Sequence, residues 1–242
     1  MKGRAAIFTA IVLIIAAGLL PGCAIAPEEN MTATVETAPT PQPQAPADPA
    51  VQGVQPLEIA RDVRAFGSGY IVYPRVFGVS AEKINSGIYD AVSGRAADYE
   101  GAIFTRYRIK YNDHGIFSAV IRAYDFNSDE LLFSVPVNFD AMTGEKRRIS
   151  DYLYDENDLW RTVLPDMITA QAEQRELMLL SDIAPITDDQ DFYITGGYLV
   201  VVYRAYEIAT FAAGAPEFRL PLEELEPYIR EGSALWALVE EE

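Results

Sequence analysis

Residues 103–139 read IFTRYRIKYNDHGIFSAVIRAYDFNSDELLFSVPVNF, and this stretch decides the fold. Ile103, Thr105, Tyr107, Ile109 and Tyr111 fall on one side of an extended chain, and Arg106, Arg108 and Lys110 on the other. That alternation is the mark of a strand, in which successive side chains point to opposite faces. Asn112-Asp113-His114-Gly115 supplies turn chemistry, and the alternation resumes over 116–125. Asn127-Ser128-Asp129 turns the chain again, and Leu131 to Phe139 gives a third strand. Strands joined by such short polar turns form a meander and pair antiparallel.

Upstream, Tyr70 to Phe77 reads as a strand that ends near Pro74. Ser80 then has the chemistry of an N-cap, with Glu82 in the first turn and Ile84, Ile88 and Ala91 at helical spacing. The helix is expected to run to about Gly94 or a little beyond. Downstream of Thr143-Gly144-Glu145-Lys146, residues 158–180 carry a helical pattern through Val163, Met167 and Ala170. Pro165 either kinks that helix or marks its first turn. Phe192 to Thr195, the turn Gly196-Gly197 and Tyr198 to Tyr203 read as a hairpin, followed by a strand at Glu217 to Leu220. Leu222, Leu225 and Ile229 lie on one face of a short final helix over Pro221 to Ile229. The expected class is α+β: antiparallel sheet meanders packed with two main helices and a short C-terminal helix.

The N-terminal part has a different composition. Lys2 and Arg4 precede an apolar run from Ala5 to Leu20, and Leu20-Pro21-Gly22-Cys23 contains the only cysteine. This layout is that of a secretory signal. The Leu-Pro-Gly-Cys run is similar to a bacterial lipobox, which implies lipid attachment at Cys23 after removal of residues 1–22. A retained membrane anchor is the alternative, since about 20 apolar residues span a bilayer. Both place the rest of the chain outside the cytoplasm, anchored to the cell membrane. Residues 27–56 hold seven prolines and no aromatic residue, so a disordered tether is expected between residues 23 and 56. A folded domain over 57–242 follows, with an N-terminal module to about 145 and a C-terminal one over 146–235.

Charge bounds the partners. The chain has 19 basic and 36 acidic residues, a net of −17. Residues 57–242 hold 17 and 32, a net of −15, and residues 181–242 hold 3 and 13, a net of −10. Nucleic acid would repel such a chain, whereas a cationic protein would attract it. One cysteine permits no intramolecular disulfide, so stability rests on packing.

The run Phe192 to Tyr203, with Tyr206-Glu207-Ile208-Ala209, Ala212-Ala213-Gly214 and Phe218-Arg-Leu-Pro221, resembles a bacterial extracellular domain of unknown function. That domain forms the outer part of the anti-sigma factor RsiV and precedes the catalytic domain of PdaC-type peptidoglycan deacetylases. Tyr73-Pro74 with Lys83-Ile84-Asn85 resembles its companion N-terminal module, and Phe139-Asp140 with Thr143-Gly144 the segment joining the two. The resemblance covers about residues 57–235. It implies the non-catalytic module alone, a binding or sensing element whose best-known ligand class is a basic lysozyme.

Residues that could carry chemistry are few. His114 is the only histidine and lies in a turn, and no nucleophile-elbow sequence or zinc-ligand spacing occurs, so no catalytic residue, metal or cofactor is expected. Asp125, Asn127 and Asp129 alternate like the start of a calcium loop but lack its glycine and closing glutamate, and a hairpin turn accounts for them. Asp188, Asp189 and Asp191, and the stretch Asp155 to Asp158, read as solvated loops. Tyr203 is expected in the core. Tyr206 and Glu207 are placed either at the end of the sheet or at the rim of a ligand-binding surface. Gly214 is expected to supply a positive φ or a close approach. The expected function is a surface-tethered lipoprotein that binds a cationic protein such as lysozyme, or another envelope component. The alternative is an envelope glycan hydrolase using paired carboxylates.

Overall fold

A computed structural model describes residues 54–210 and 214–240. The expected signal peptide, Cys23 and nearly all of the expected tether lie outside the described residues. Among the described residues no helix is long and apolar enough to cross a membrane.

Five strands form the larger sheet in the order β1 (Glu58–Phe66), β2 (Gly69–Phe77), β3 (Ile103–Asp113), β4 (Ile116–Asp125) and β5 (Leu131–Asp140). The β3–β4–β5 meander is antiparallel throughout, as its polar turns dictate. His114 (φ 50°) and Gly115 (φ 77°) make the two-residue β3–β4 turn, whose paired positive φ values match the right-handed strand twist. At the next turn, Asp125 Oδ1 accepts the amides of Asn127 and Ser128 at 2.9 and 2.8 Å, which is the hairpin reading of that acidic run.

The sequence pattern missed β1, whose residues alternate only weakly in burial because it is an edge strand. Its antiparallel partner β2 runs through Pro74 rather than ending there. The missing N–H is tolerated because β2 touches β3 through a single parallel pair, Tyr70 with Phe104, so Pro74 has no ladder neighbour on that side. The Thr105 hydroxyl accepts from Val72 N–H and donates to Val72 O, both at 2.6 Å, which explains a fully buried threonine. Gly69 lets the strands meet, since a Cβ there would lie 1.9 Å from the Ile103 carbonyl oxygen.

Helix α1 (Ala81–Ala96) connects β2 to β3 and buries Ile84, Ile88, Val92 and Ala96 against the sheet. The stripe passes through Val92 rather than the half-buried Ala91. Ser80 stands at the N-cap but its side chain does not cap the helix. Its buried hydroxyl donates to Ala141 O at 2.5 Å instead, fixing the β5 exit onto the helix start.

A bulge between Ile109 and Tyr111 reverses the alternation of β3. Ile109 stays with the α1 core, whereas Tyr111 crosses to the other face and packs in a second core. The sequence pattern therefore holds only as far as Ile109, because an extra residue in one strand flips every position beyond it.

The second core joins α2 (Leu164–Gln174) to a three-stranded antiparallel sheet, β6 (Phe192–Thr195), β7 (Tyr198–Val202) and β8 (Glu217–Pro221). Pro165 marks the first turn of α2, which is preceded by a single π-helical turn at Leu159–Val163. The helix stops at Gln174, short of residue 180. Leu222, Leu225 and Ile229 are buried as the pattern required, although the segment divides into α3 (Leu222–Leu225) and a 3-10 turn at Glu226–Tyr228. A last short helix, α4 (Ala237–Glu240), follows. The whole is mixed α+β, with one parallel contact inside otherwise antiparallel sheets.

Side chains close both edges of the small sheet. Asn138 Nδ2 donates to Phe192 O at 2.8 Å, and Ser118 Oγ accepts from Ile194 N–H at 3.0 Å while donating to Asn138 Oδ1 at 2.7 Å. These satisfy β6 groups that face away from β7. On β8, Gln171 of α2 pairs with both backbone groups of Arg219, and Arg175 donates to Glu217 O.

Candidate ligand-binding surface

Segments 152–154 and 228–230 are zipped together. Tyr154 N–H donates to Tyr228 O and Arg230 N–H to Tyr152 O, each at 2.8 Å, and Leu153 bridges Ile229. The buried faces of Tyr152, Leu153 and Ile229 anchor this pair in the second core. Its outward side carries Tyr154, Glu226, Pro227 and Glu231, and Glu156 and Trp236 complete an open groove of about 580 Å³. Three carboxylates and two aromatic rings thus share one shallow surface. The Arg230 guanidinium lies 4.4 Å from the centre of the Tyr154 ring, so one cation of the protein itself already stacks there.

Tyr206 lies elsewhere. It is 60% exposed at φ 66° and lines an apolar groove of about 740 Å³ with Tyr99, Leu131 and Phe133. Glu207 does not line that groove. Its Oε2 accepts Arg204 N–H at 2.7 Å and closes the turn that presents Tyr206. Tyr203 is buried edge-on against Phe218, and burial followed by the Glu207 charge pushes its phenol up to about 12. Gly214 takes φ 64° with open space around it, so its role is the positive φ.

His114 Nδ1 is 2.6 Å from the Tyr111 hydroxyl and lines a polar cavity with Asp140, Arg147 and Tyr152. Two of the acidic loop residues are paired: Asp191 with Arg95 at 2.8 Å, and Asp188 with Arg148 at 3.0 Å and the Ser150 amide. Among the described residues, no group of three or more histidine, cysteine or acidic side chains is arranged to hold a metal. None of the described carboxylates is buried either; the buried polar side chains are Ser80, Thr105, Ser118 and Asn138.

Among the described residues, every carboxyl displaced from its ordinary pKa is displaced downward. The Tyr73 hydroxyl lowers Asp62, and the Ser128 and Asn127 amides lower Asp125. Burial raises Asp140 and Asp188, but the Arg147 bond with the Thr143 and Met142 amides outweighs it at Asp140, and Ser150 with Arg148 at Asp188. A general acid of glycan hydrolysis needs the opposite shift.

The groove of Tyr154 and Trp236 escaped the sequence reading. Its residues come from segments about 70 positions apart, which tertiary pairing and not a local pattern brings together. The local signal was the acidic excess of residues 181–242.

Residues 142–223 match the family described as "Protein of unknown function (DUF3298)". A crystal structure of a member of that family from Bacteroides fragilis NCTC 9343 shares the fold with a TM-score of 0.55 at 12% identity, covering 76% of this chain and 96% of the other. A DUF3298 family protein from Pseudomonas aeruginosa PAO1 aligns with a TM-score of 0.52 at 14% identity, covering 75% and 97%. No curated protein matches the chain.

Proposed function

We propose that this protein is a non-enzymatic binding module for a cationic protein, held at the outer face of the cell membrane through lipid on Cys23. The groove of Tyr154, Glu156, Glu226, Glu231 and Trp236 is the observation that carries the reading. Aromatic faces attract lysine and arginine side chains at close range, and carboxylates steer them in and fix them. The stacked Arg230 is an internal example of the same chemistry. The downward carboxyl shifts, with no buried acid among the described residues, favour binding over glycan hydrolysis. The resemblance to the outer part of RsiV and to the module ahead of PdaC-type deacetylase domains makes lysozyme the natural first probe. In this reading Tyr206 offers a second, apolar contact, and Glu207 holds its turn.

The test is association of the full chain, in neutral detergent, with lysozyme at two ionic strengths. Faster association at low salt is expected, because screening at physiological salt acts over about 8 Å. E226Q/E231Q should weaken binding about tenfold. The reading fails if no basic protein binds, or if binding ignores both salt and the double substitution.

A further inference from the structure

Four cations share one face of the large sheet in a chain of net charge −17. Arg106, Arg108 and Lys110 follow one another on β3, and Arg122 of β4 is the direct cross-strand partner of Arg106. Together with Val120 and Tyr124 they line a depression of about 280 Å³. Like charges directly opposite in an antiparallel pair destabilise it, so this arrangement works against the fold. Such local conflict is expected where a surface serves binding.

Nearby acids neutralise the file only in part: two carboxylates, Glu217 and Asp129, face four cations. Glu217 is fully engaged: Oε1 accepts from Arg122 at 2.8 Å and Oε2 from the Tyr193 hydroxyl at 2.7 Å. Asp129 reaches Arg106 at 3.1 Å, but both side chains are more than half exposed, where an ion pair is weak. Among the described residues Arg108 has no ion pair or hydrogen bond from its side chain, and the buried Arg122 Nε has no hydrogen-bond partner. Lys110 sits 4.2 Å from the centre of the Tyr193 ring. Burial lowers the pKa of its ammonium, as do Arg122, Arg108 and Arg219, against the pull of Glu217. Two of the four, Arg106 and Arg122, are also held in place. Arg106 stacks over Phe104 and Tyr124 at 5.0 and 4.8 Å, and Glu217 fixes Arg122. Pre-set donors lose little freedom when a ligand arrives.

We propose that this face is an anion site for a phosphate group, with the guanidinium of Arg108 on the phosphate oxygens and Lys110 and Arg122 as positive charges beside it. Guanidinium forks match tetrahedral oxyanions, and several uncompensated donors suit a phosphate better than a singly charged carboxylate. The excess of acids elsewhere does not forbid it, because charges beyond about 8 Å are largely screened at physiological salt. The site shares no residue with the groove of Tyr154 and Trp236.

The experiment is titration of the full chain, in neutral detergent micelles, with inorganic pyrophosphate, sn-glycero-3-phosphoglycerol and acetate, read by calorimetry. At least one phosphate probe should bind, and acetate at least tenfold more weakly than it. R108Q/K110Q should weaken that binding tenfold or more, while R61Q, at an exposed cation of β1, should leave it unchanged. A preference for the glycerol phosphodiester assigns an envelope or lipid-headgroup source, and a preference for pyrophosphate assigns a soluble phosphate ester. Lysozyme binding by R108Q/K110Q should equal that of the parent chain, which shows the variant folded and separates this site from the protein-binding groove. Equal affinity for acetate and both phosphate probes, or equal affinity of parent and R108Q/K110Q, overturns the proposal.

Discussion

Asn138→Ala should cost about 3 kcal/mol, because it breaks a buried polar network between the two sheets. Asn138 is 3% exposed and Ser118 fully buried, so neither is replaced by water when truncated. The substitution removes the bonds to Phe192 O and from Ser118 Oγ, each with a net value of about 1 kcal/mol. It also strands the Phe192 carbonyl inside the protein, which adds about 1–3 kcal/mol. For a domain of this size, each kcal/mol moves the melting temperature by roughly 2–4 °C, so a fall of about 6–12 °C is expected. Ser118→Ala should cost less and should specifically release hydrogen exchange at the Ile194 amide. The double variant should fall short of additivity by at least about 0.5 kcal/mol, since the two side chains form one network. Gln171→Ala is the control. It removes two comparable bonds from β8, but at an exposed edge where water replaces them, so about 1 kcal/mol or less is expected. Calorimetric melting and urea unfolding measure all four. An Asn138→Ala cost no larger than that of Gln171→Ala would refute the claim that a buried polar pair holds the two sheets together.

Gly69→Ala should destabilise by about 3 kcal/mol in the same melts, because its Cβ would collide with the Ile103 backbone, which has no rotamer to escape into. Asp140 has a folded pKa below the ordinary 3.8, so its pairing with Arg147 stabilises above that value and is lost as pH falls through the lower folded one. Asp140→Asn should therefore cost about 2 kcal/mol at neutral pH and flatten the acid limb of a stability–pH curve, and an unchanged limb would exclude the pair as a contributor. Cys23→Ala should abolish incorporation of labelled fatty acid and processing of the leader, and normal labelling of the variant would rule out lipidation at this residue.

The meander, α1 and the β6–β7 hairpin were legible because each depends on local periodicity and on turn residues with one conformational purpose. Ser80 shows where that legibility stops. Its position at the helix start was readable, but its partner, Ala141 O, lies 61 residues away, and a tertiary acceptor displaced the local cap. The bulge after Ile109 is of the same kind. Its cause is the pairing of β3 with β4, and nothing in the β3 sequence alone shifts Tyr111 to the second core. Tyr206 and Glu207 were legible as a turn beside a buried strand, but not as a ring lining a groove and the carboxylate that locks its backbone.

The surface chemistry was hidden for a different reason: net charge is a sum, whereas recognition depends on placement. A net of −15 over residues 57–242 describes a domain that repels anions at long range. At contact range the pleat sorts those charges. Arg106 and Arg108 were forced to one side by the alternation that sent Thr105 and Tyr107 to the other, and Lys110 joined them at the bulge. Glu156, Glu226 and Glu231 were brought together by the pairing of two distant segments whose buried residues had no alternative but to meet. The apolar pattern that builds each core therefore also decides which charges become neighbours. Two surfaces of opposite sign on one acidic chain follow from that pattern without any bias in the overall composition toward the basic one.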